Sequence, residues 1–399
     1  MTRRAVCMIA YANYYTDARI KNYVDALLRQ GYAVDVFALG KKSVDEQALQ
    51  PGLRVFAVME KYWGDSALHY ALVQVWFALR VALAVAWQDL TRGYCLIHVH
   101  NMPDFLVFSA MVPRLLGTPV ILDVHDTTPE VYATKFDVSL GHPLIVLLRW
   151  QERLSAAFAT QVITSNALQE EVLCSHGLDA RKIEVILNVG NERLFKPVST
   201  RPMTDELLLV YHGTIAERLG LDVILQAIHI ASQDCPKLKF LLIGDGDFLP
   251  TVKTLVSSWG LTDRVQMLGF VPVEELATYL AAADVGVVGT KSLNEAKHNY
   301  CLPVKMLEYA AMEIPTIAPD LQVIRRYFDD DSAIFYTADD PVDMARRLRD
   351  VYVHREMLPV VRQHLQSFNR SYNWSTMERI YLDIVARLTH SPRPVQAQS

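Results

Sequence analysis

The chain predicts an α/β protein made of two doubly wound domains, and three observations lead there. At 399 residues it exceeds the ~250–300 residues that one hydrophobic core usually organises. Its composition, 51% apolar and 21% charged with 17 glycines and 18 prolines, is that of ordinary folded domains rather than of a disordered or fibrous chain. Finally, short β-branched runs alternate with helix-length segments in two successive blocks, the pattern of parallel strands joined by crossover helices.

In the first block Ala5–Ala10, Ala33–Ala38, Leu53–Val58, Cys95–Val99, Pro119–Asp123, Gln161–Thr164 and Ile183–Leu187 read as buried strands. A polar, proline-containing link runs from about Val189 to Glu206. The pattern then restarts with Leu207–Tyr211, Leu238–Ile243, Val265–Leu268, Val285–Val288, Thr316–Ala318 and Ala333–Phe335. The domains are therefore expected over residues 1–190 and 191–371. Residues 372–390 place Trp374, Met377, Ile380, Tyr381, Ile384 and Val385 at helical spacing, an amphipathic helix expected to return to the first domain and complete it. Ligands of doubly wound sheets sit at the carboxyl ends of the strands, so a cleft between the domains is the default site.

Charge and cysteines narrow the partners. With 39 basic and 44 acidic residues the net charge is −5, which offers no field for a nucleic-acid backbone. Cys7, Cys95, Cys174, Cys235 and Cys301 are odd in number, scattered and without a CxxC, so a reducing, cytoplasmic setting is expected. The apolar run Ala5–Ala10 is too short for a secretory signal. Ala71–Trp87 is membrane-like, yet it contains Gln74 and Arg80 and falls short of the ~20 residues of a span. It reads as a mostly buried helix, with peripheral membrane contact, there or through His142–Arg149, as the alternative. The polar tail Ser391–Ser399 is expected to be disordered.

The chemistry concentrates in residues 299–316. Pro303 suits a first helical position, and Lys305 and Glu308 then share one face of the following helix. A lysine in a first turn opposes the helix dipole unless an anion sits there, and a helix N-terminus is itself an anion site; a phosphate resolves the conflict. Glu308, one turn deeper, suits a cis-diol such as that of ribose. The plain alternative is an exposed ion pair of a few tenths of a kcal/mol.

This segment resembles the Pro-x-Lys-x-x-Glu-Tyr-x-Ala-x-Gly-x-Pro motif of retaining family 4 (GT4) glycosyltransferases of the GT-B fold, matching it at Pro303, Lys305, Glu308, Tyr309, Ala311 and Pro315. Further matches are Asp17-Ala18-Arg19, Gly31-Tyr32-Ala33-Val34, Asp123-Val124-His125-Asp126, Tyr211-His212-Gly213-Thr214, Ile243-Gly244-Asp245-Gly246, Leu268-Gly269-Phe270 and Ala283-Asp284-Val285. The resemblance implies two Rossmann-like domains facing across a cleft, the first binding an acceptor and the second a nucleotide-diphosphate sugar, with UDP- or GDP-sugars the first candidates. The acceptor would be a saccharide or a lipid-linked sugar, met in the cytoplasm or at the inner face of the membrane during polysaccharide, glycolipid or other glycoconjugate synthesis. Transfer would proceed with retention.

Residue by residue, the resemblance assigns His125 to the donor sugar, while Lys305 and the nearby Arg218 are assigned here to the pyrophosphate, with Glu308 beside them. Gly213, Thr214, Gly244, Gly246, Asn299, Tyr300, Cys301 and Leu302 would line the donor site, and Asn13, His100, Asn101 and Asp126 the acceptor site. Several positions depart from the family pattern. Tyr300 stands where a Glu-x7-Glu pair would have its first acid, Glu313 replaces a glycine, and the loop Tyr11–Tyr15 lacks a Gly-Gly. Thr214 and Leu219 stand where many members have Arg and Lys, which leaves Arg218 as the nearby cation. Two cations and a helix N-terminus can neutralise a diphosphate, so no metal or other cofactor is expected. His98 and His100 share a strand face and with His125 and Asp126 imitate a metal site. A carboxylate pair drawn from Asp123, Asp126 and Glu130 would suit hydrolysis but leaves Lys305 and Arg218 unused. A sugar-nucleotide 2-epimerase on the same fold, or a non-catalytic nucleotide-sugar-binding partner, are the remaining alternatives.

Overall fold

The computed structural model describes residues 4–41, 50–62, 67–136, 138–197, 204–292 and 300–390. These form two compact units, one of residues 4–187 with Tyr300 and 378–390, the other of residues 188–292 and 301–377.

The first unit is a seven-stranded, wholly parallel sheet of β1 (Ala5–Asn13), β2 (Ala33–Leu39), β3 (Leu53–Met59), β4 (Tyr94–His100), β5 (Val120–Val124), β6 (Gln161–Thr164) and β7 (Ile183–Val185), in the order β3-β2-β1-β4-β5-β6-β7. Its helices are α1 (Ala18–Arg29), α2 (Ala67–Arg92), α3 (Met111–Leu115), α4 (Thr128–Lys135), α5 (Pro143–Phe158) and α6 (Ala167–Ser175). Each strand reads as a continuous apolar run because helices cover both sheet faces; Cys7, Ile9, Phe37, Tyr94, Val99 and Leu122 are all buried. Asp17 starts α1 by accepting from the Ile20 N–H at 3.0 Å, and Ile20, Tyr23, Val24 and Leu27 form its buried stripe.

The second unit is a six-stranded parallel sheet of β8 (Leu207–His212), β9 (Leu238–Ile243), β10 (Val265–Gly269), β11 (Val285–Val287), β12 (Thr316–Pro319) and β13 (Ile334–Tyr336), ordered β10-β9-β8-β11-β12-β13. Helices α7 (Leu221–Ala231), α8 (Leu249–Ser258), α9 (Val273–Leu280), α10 (Val304–Ala311), α11 (Gln322–Arg325), α12 (Pro341–Val353) and α13 (Met357–Ser371) surround it. In each sheet the chain reverses its direction of winding once, at β1/β4 and at β8/β11. These switch points open a crevice at the carboxyl ends of the strands, where ligands of such sheets bind.

The last helix, α14 (Trp374–His390), is capped by Glu192, whose carboxylate accepts from the N–H groups of Trp374 and Ser375 at 3.0 Å each. From Glu378 onward it belongs to the first unit: Glu378 pairs with Arg29 at 2.6 Å and the Tyr381 hydroxyl lies 3.0 Å from His98 Nδ1.

The expectation of a mostly buried helix over Ala71–Trp87 is corrected. The helix is 26 residues long, and only the face carrying Gln74, Phe77, Val81, Val85 and Asp89 is buried. The opposite face, from Leu72 to Leu90, is equally apolar and exposed. Both faces being apolar, the run carries no amphipathic period that would separate them. His69–Arg92 is long and apolar enough to cross a membrane, with mean hydropathy 1.6, the one such helix among the described residues. Its inner face is instead committed to the sheet and to the 3-10 turn Asp104–Ala110.

Candidate active site

In the second unit the site grows from two chain ends at the switch point. Strand β8 delivers Tyr211, His212 and Gly213, and after β11 the chain returns to the sheet in α10. Pro303 is the N-cap of α10 rather than its first helical residue, so Lys305 is the second residue of the first turn and Glu308 lies one turn deeper. Tyr309 fixes the helix against the strand: its hydroxyl donates to the Val210 carbonyl at 3.1 Å and lies 3.1 Å from His212 Nδ1. The ring packs so closely on β11 that a Cβ at Gly286 would come within 2.4 Å of it.

Lys305 and Glu308 do not pair with each other. His212 Nε2 contacts Glu308 Oε2 at 2.5 Å, which leaves Glu308 Oε1 without a hydrogen-bond partner among the described residues. Lys305 Nζ lies 4.6 Å from the centroid of the Tyr211 ring and has no acidic partner among those residues. Burial pushes the ammonium down to about 8, and the Arg218 charge adds to this against the opposing pull of Glu308. Arg218 is exposed in the 3-10 turn Glu217–Leu219. Two cations that repel one another, neither of them in an ion pair among the described residues, mark a place where an anion lowers the energy. Gly213 lies beside them with φ +106°, a backbone that an L side chain resists, and a Cβ there would face Lys305 Cε at 3.8 Å.

Gly244 and Gly246 acquire a packing reason. A Cβ at Gly244 would lie 1.9 Å from the Gly213 carbonyl oxygen, and one at Gly246 2.1 Å from that of Ile215. The loops after β8 and β9 are laced by backbone hydrogen bonds, among them Ile215 N–H to Asp245 O at 2.9 Å and Phe248 N–H to Ile215 O at 3.1 Å. These glycines thus hold the Gly213–Thr214 loop in place, and Thr214 is exposed at its tip, its carbonyl accepting from the Tyr211 hydroxyl at 2.8 Å. Gly190 is similar, since a Cβ there would meet Glu308 Cα at 3.0 Å. Leu302 is buried and Cys301 partly so, while Asn299 lies outside the described residues.

In the first unit Asn13 ends β1 and His100 ends β4, on either side of the switch point. Asn13 is exposed and its carboxamide accepts from the Tyr15 N–H at 2.9 Å. His100 is buried, with Nδ1 3.0 Å from Asp123 Oδ2, so its side chain braces the sheet edge rather than presenting itself to solvent. Asn101 is a bracket: it donates to the Asp126 carbonyl at 2.6 Å and to Asp104 at 2.9 Å, and accepts from the His125 N–H at 3.1 Å. Ser165 and Gln169 donate to the His125 carbonyl at 3.2 and 2.9 Å. His125 and Asp126 are thereby held half-buried after β5, with His125 Nδ1 unpaired among the described residues. Tyr300, also in this unit, accepts at its carbonyl from Asn166 at 2.8 Å.

Sequence reasoning left two functional partners unassigned, both inside motifs it quoted. One is His212, which aims Glu308. The other is Arg19, whose Nε and Nη2 grip Asp123 at 2.8 and 2.7 Å below His98 and His100. Burial opposes the Asp123 charge, but the guanidinium overrides it and holds the carboxyl well below the usual range. His98, His100 and Asp123 bring three ligand-type atoms within 4.8 Å of one another, whereas His125 and Asp126 are not in that group. Both Asp123 oxygens are already bonded to Arg19, and a permanent cation at that distance disfavours a metal ion.

Comparison with known proteins decides the family. Residues 16–188 match the model described as a glycosyl transferase 4-like domain, and residues 206–354 match glycosyl transferases group 1. The chain is a GT-B glycosyltransferase of the GT4 type. It is 25% identical over 360 residues to one of the subunits of the phosphatidylinositol N-acetylglucosaminyltransferase of Arabidopsis thaliana, covering 88% of this chain and 74% of that protein. In fold it is similar to a sucrose-phosphate synthase from Thermosynechococcus elongatus, with a TM-score of 0.75 at 18% identity over 97% of this chain and 99% of that one. It is also similar to Anabaena HepE, solved with UDP-glucose, with a TM-score of 0.71 at 14% identity over 96% and 99%. This glycosyltransferase departs from its family at Glu313, and the structure shows what the usual glycine does: Glu313 has φ 56° just past the end of α10, the left-handed turn that closes a helix.

Proposed function

We propose that this glycosyltransferase moves a sugar from a nucleotide-diphosphate donor, a UDP- or GDP-sugar, to a hydroxyl of a saccharide or lipid-linked acceptor, with retention at the anomeric carbon. The observation that carries the donor assignment is the convergence of Lys305, Arg218, the N-terminus of α10 and the Gly213 backbone on one spot in the second unit, where neither cation forms an ion pair among the described residues. A diphosphate fits this set as a dianion, and the same cations stabilise the leaving nucleotide as the glycosidic bond breaks. Glu308, oriented by His212, offers Oε1 to the donor's diol. UDP-glucose in the similar HepE structure supports a nucleotide sugar.

In this reading His125, held by Asn101, Ser165 and Gln169, contacts the donor sugar, and Asn13 and Asp126 border the acceptor. His100 and Asn101 act through the elements they brace. The acceptor oxygen bonds to the anomeric carbon on the face from which the nucleotide departs, the acceptor proton passing to the leaving phosphate, through an oxocarbenium-like state. Cationic side chains do the neutralising, so we infer transfer without a metal. We place the enzyme in the cytoplasm, peripheral to the membrane, in glycoconjugate synthesis. Its five cysteines, odd in number and scattered along the chain, suit a reducing setting.

A thermal-shift panel of UDP-, GDP- and ADP-sugars, followed by product analysis with the stabilising donor, tests the reading. Stabilisation by one class, with free nucleotide released only when acceptor is present, is expected. Isomerised donor without acceptor would make the protein an epimerase, and stabilisation by no nucleotide sugar would remove the donor site.

A further inference from the structure

The first unit carries an apolar face whose chemistry is unlike the rest of the molecule. Among the described residues 24 large apolar side chains are exposed, and sixteen of them lie on α2, on α3 with its cap Leu116, and on α5. The three helices are neighbours. Both α2 and α5 pack on the turn Asp104–Ala110, from which Ser109 donates to the Ala78 carbonyl at 3.0 Å, and Arg114 of α3 reaches the Phe158 carbonyl at the end of α5 at 3.3 Å. Their outward stripes are dominated by Trp76, Leu83, Trp87, Leu115, Leu147 and Trp150, between 57% and 76% exposed. Such a face exceeds the scattered apolar residues of an ordinary surface.

Charge identifies the occupant. The acids of these helices, Asp89 and Glu152, are both buried, whereas every charged residue with solvent access, Arg80, Arg92, Arg114, Arg149 and Arg153, is an arginine. Arg92 and Arg149 are steadied by Asp35 and Glu130, and Arg80 has no acidic partner among the described residues. On a chain of net charge −5 this is a local inversion. Tryptophans beside arginines on an apolar surface suit the headgroup zone of a bilayer, where the ring is half-immersed and the guanidinium meets phosphate. Because the opposite face of α2 is built into the sheet, the helix lies along a surface and does not cross it.

We propose that the α2–α3–α5 face docks the enzyme on an anionic lipid bilayer. This deepens the peripheral location given above by naming the surface and the lipid chemistry, and it rests on that location alone. A second signal beyond apolar contact is what makes such attachment stable, and the arginines supply it.

Sedimentation of the full chain with phosphatidylcholine vesicles, with and without phosphatidylglycerol, tests this. The protein should pellet with the anionic vesicles, weakly with neutral ones, and less as salt rises. Leu83→Glu with Trp87→Glu should abolish pelleting, and Arg80→Gln should weaken it on the order of fivefold. Val342→Glu with Val353→Glu, exposed on α12 of the second unit, should change nothing. Circular dichroism and UDP binding without vesicles, measured on every variant, show that the fold and the donor site persist, so loss of vesicle binding alone is separable from failure of the catalytic reading. Equal binding to neutral vesicles, no binding at all, or a dimer that Leu83→Glu with Trp87→Glu dissociates without any vesicle binding would each overturn the proposal.

Discussion

Lys305→Met should make the ligand-free enzyme more stable and the enzyme–nucleotide complex weaker. The ammonium's affinity for its proton falls from 10.5 to about 8 in the fold. Keeping it charged near neutral pH therefore costs roughly 3 kcal/mol at about 1.4 kcal/mol per tenfold. Partial solvent access reduces the recoverable part to on the order of 1–2 kcal/mol, and loss of the Tyr211 ring contact returns about 0.5–1 kcal/mol. The methionine retains most of the packing, so a net gain of about 1 kcal/mol, or ~2–4 °C in the melting of the second unit, is expected. The pH dependence gives the sign a second check. The penalty is full below about 8, where folded and unfolded chains both hold the proton, and disappears as pH climbs toward 10.5. The stability gap between variant and wild type must close over that window. Meanwhile a charge-assisted contact to phosphate worth about 1.5–3 kcal/mol is gone, so UDP should bind roughly 10–100-fold more weakly. Scanning calorimetry across pH and isothermal titration with UDP measure both. A variant that is less stable without ligand yet binds UDP normally would show that Lys305 is structural and refute the assignment.

Other outcomes follow from the same contacts. Glu308→Gln should lower turnover by about tenfold or more, and His212→Asn should approach that loss by releasing Glu308 Oε2, since small misplacements of a substrate-holding group are costly; steady-state kinetics with equal far-ultraviolet spectra would reveal it. Arg19→Met strands the buried Asp123 carboxylate and should destabilise the first unit by about 3–5 kcal/mol in denaturant melts, whereas an unchanged midpoint would mean the pair is dispensable. Glu313→Gly relieves a left-handed backbone and should add about 0.5–1 kcal/mol, less the Gln366 contact at 3.0 Å. Prolonged dialysis against a chelator should leave transfer rates unchanged if cations alone carry the diphosphate.

The architecture was legible in the amino-acid sequence because a parallel strand covered on both faces must be a short, continuous apolar run. Ala5–Ala10, Gln161–Thr164 and Leu238–Ile243 each stand in a strand of the structure, and Tyr372–His390 differs from α14 by two residues at its start. The positions of Lys305 and Glu308 on one helix were legible too, since their spacing is local. Their partners were not. His212 lies 96 residues before Glu308 and Arg19 lies 104 before Asp123, and strand order, not spacing, brings each pair together. The Gly244-Asp245-Gly246 loop reads as a ligand cradle on paper, because nothing in its own residues shows that the Gly213 carbonyl approaches it. The exposure of α2 was hidden for the opposite reason, an apolar run giving the same signal whether it meets protein, lipid or water.

The Tyr381 hydroxyl against His98 sets an order of events during synthesis. His98 is in the fourth strand made, but its hydroxyl partner leaves the ribosome only after the whole second unit has been translated. Until then the stacked imidazoles of His98 and His100 lack the Tyr381 ring and hydroxyl and have Tyr23 alone of that aromatic pair beside them, so the cohesion of the nascent first unit is provisional. Domains usually consolidate in the order they emerge; here the earlier one is sealed last, so a released chain ending at residue 377 should display a protease-sensitive first unit next to a resistant second one.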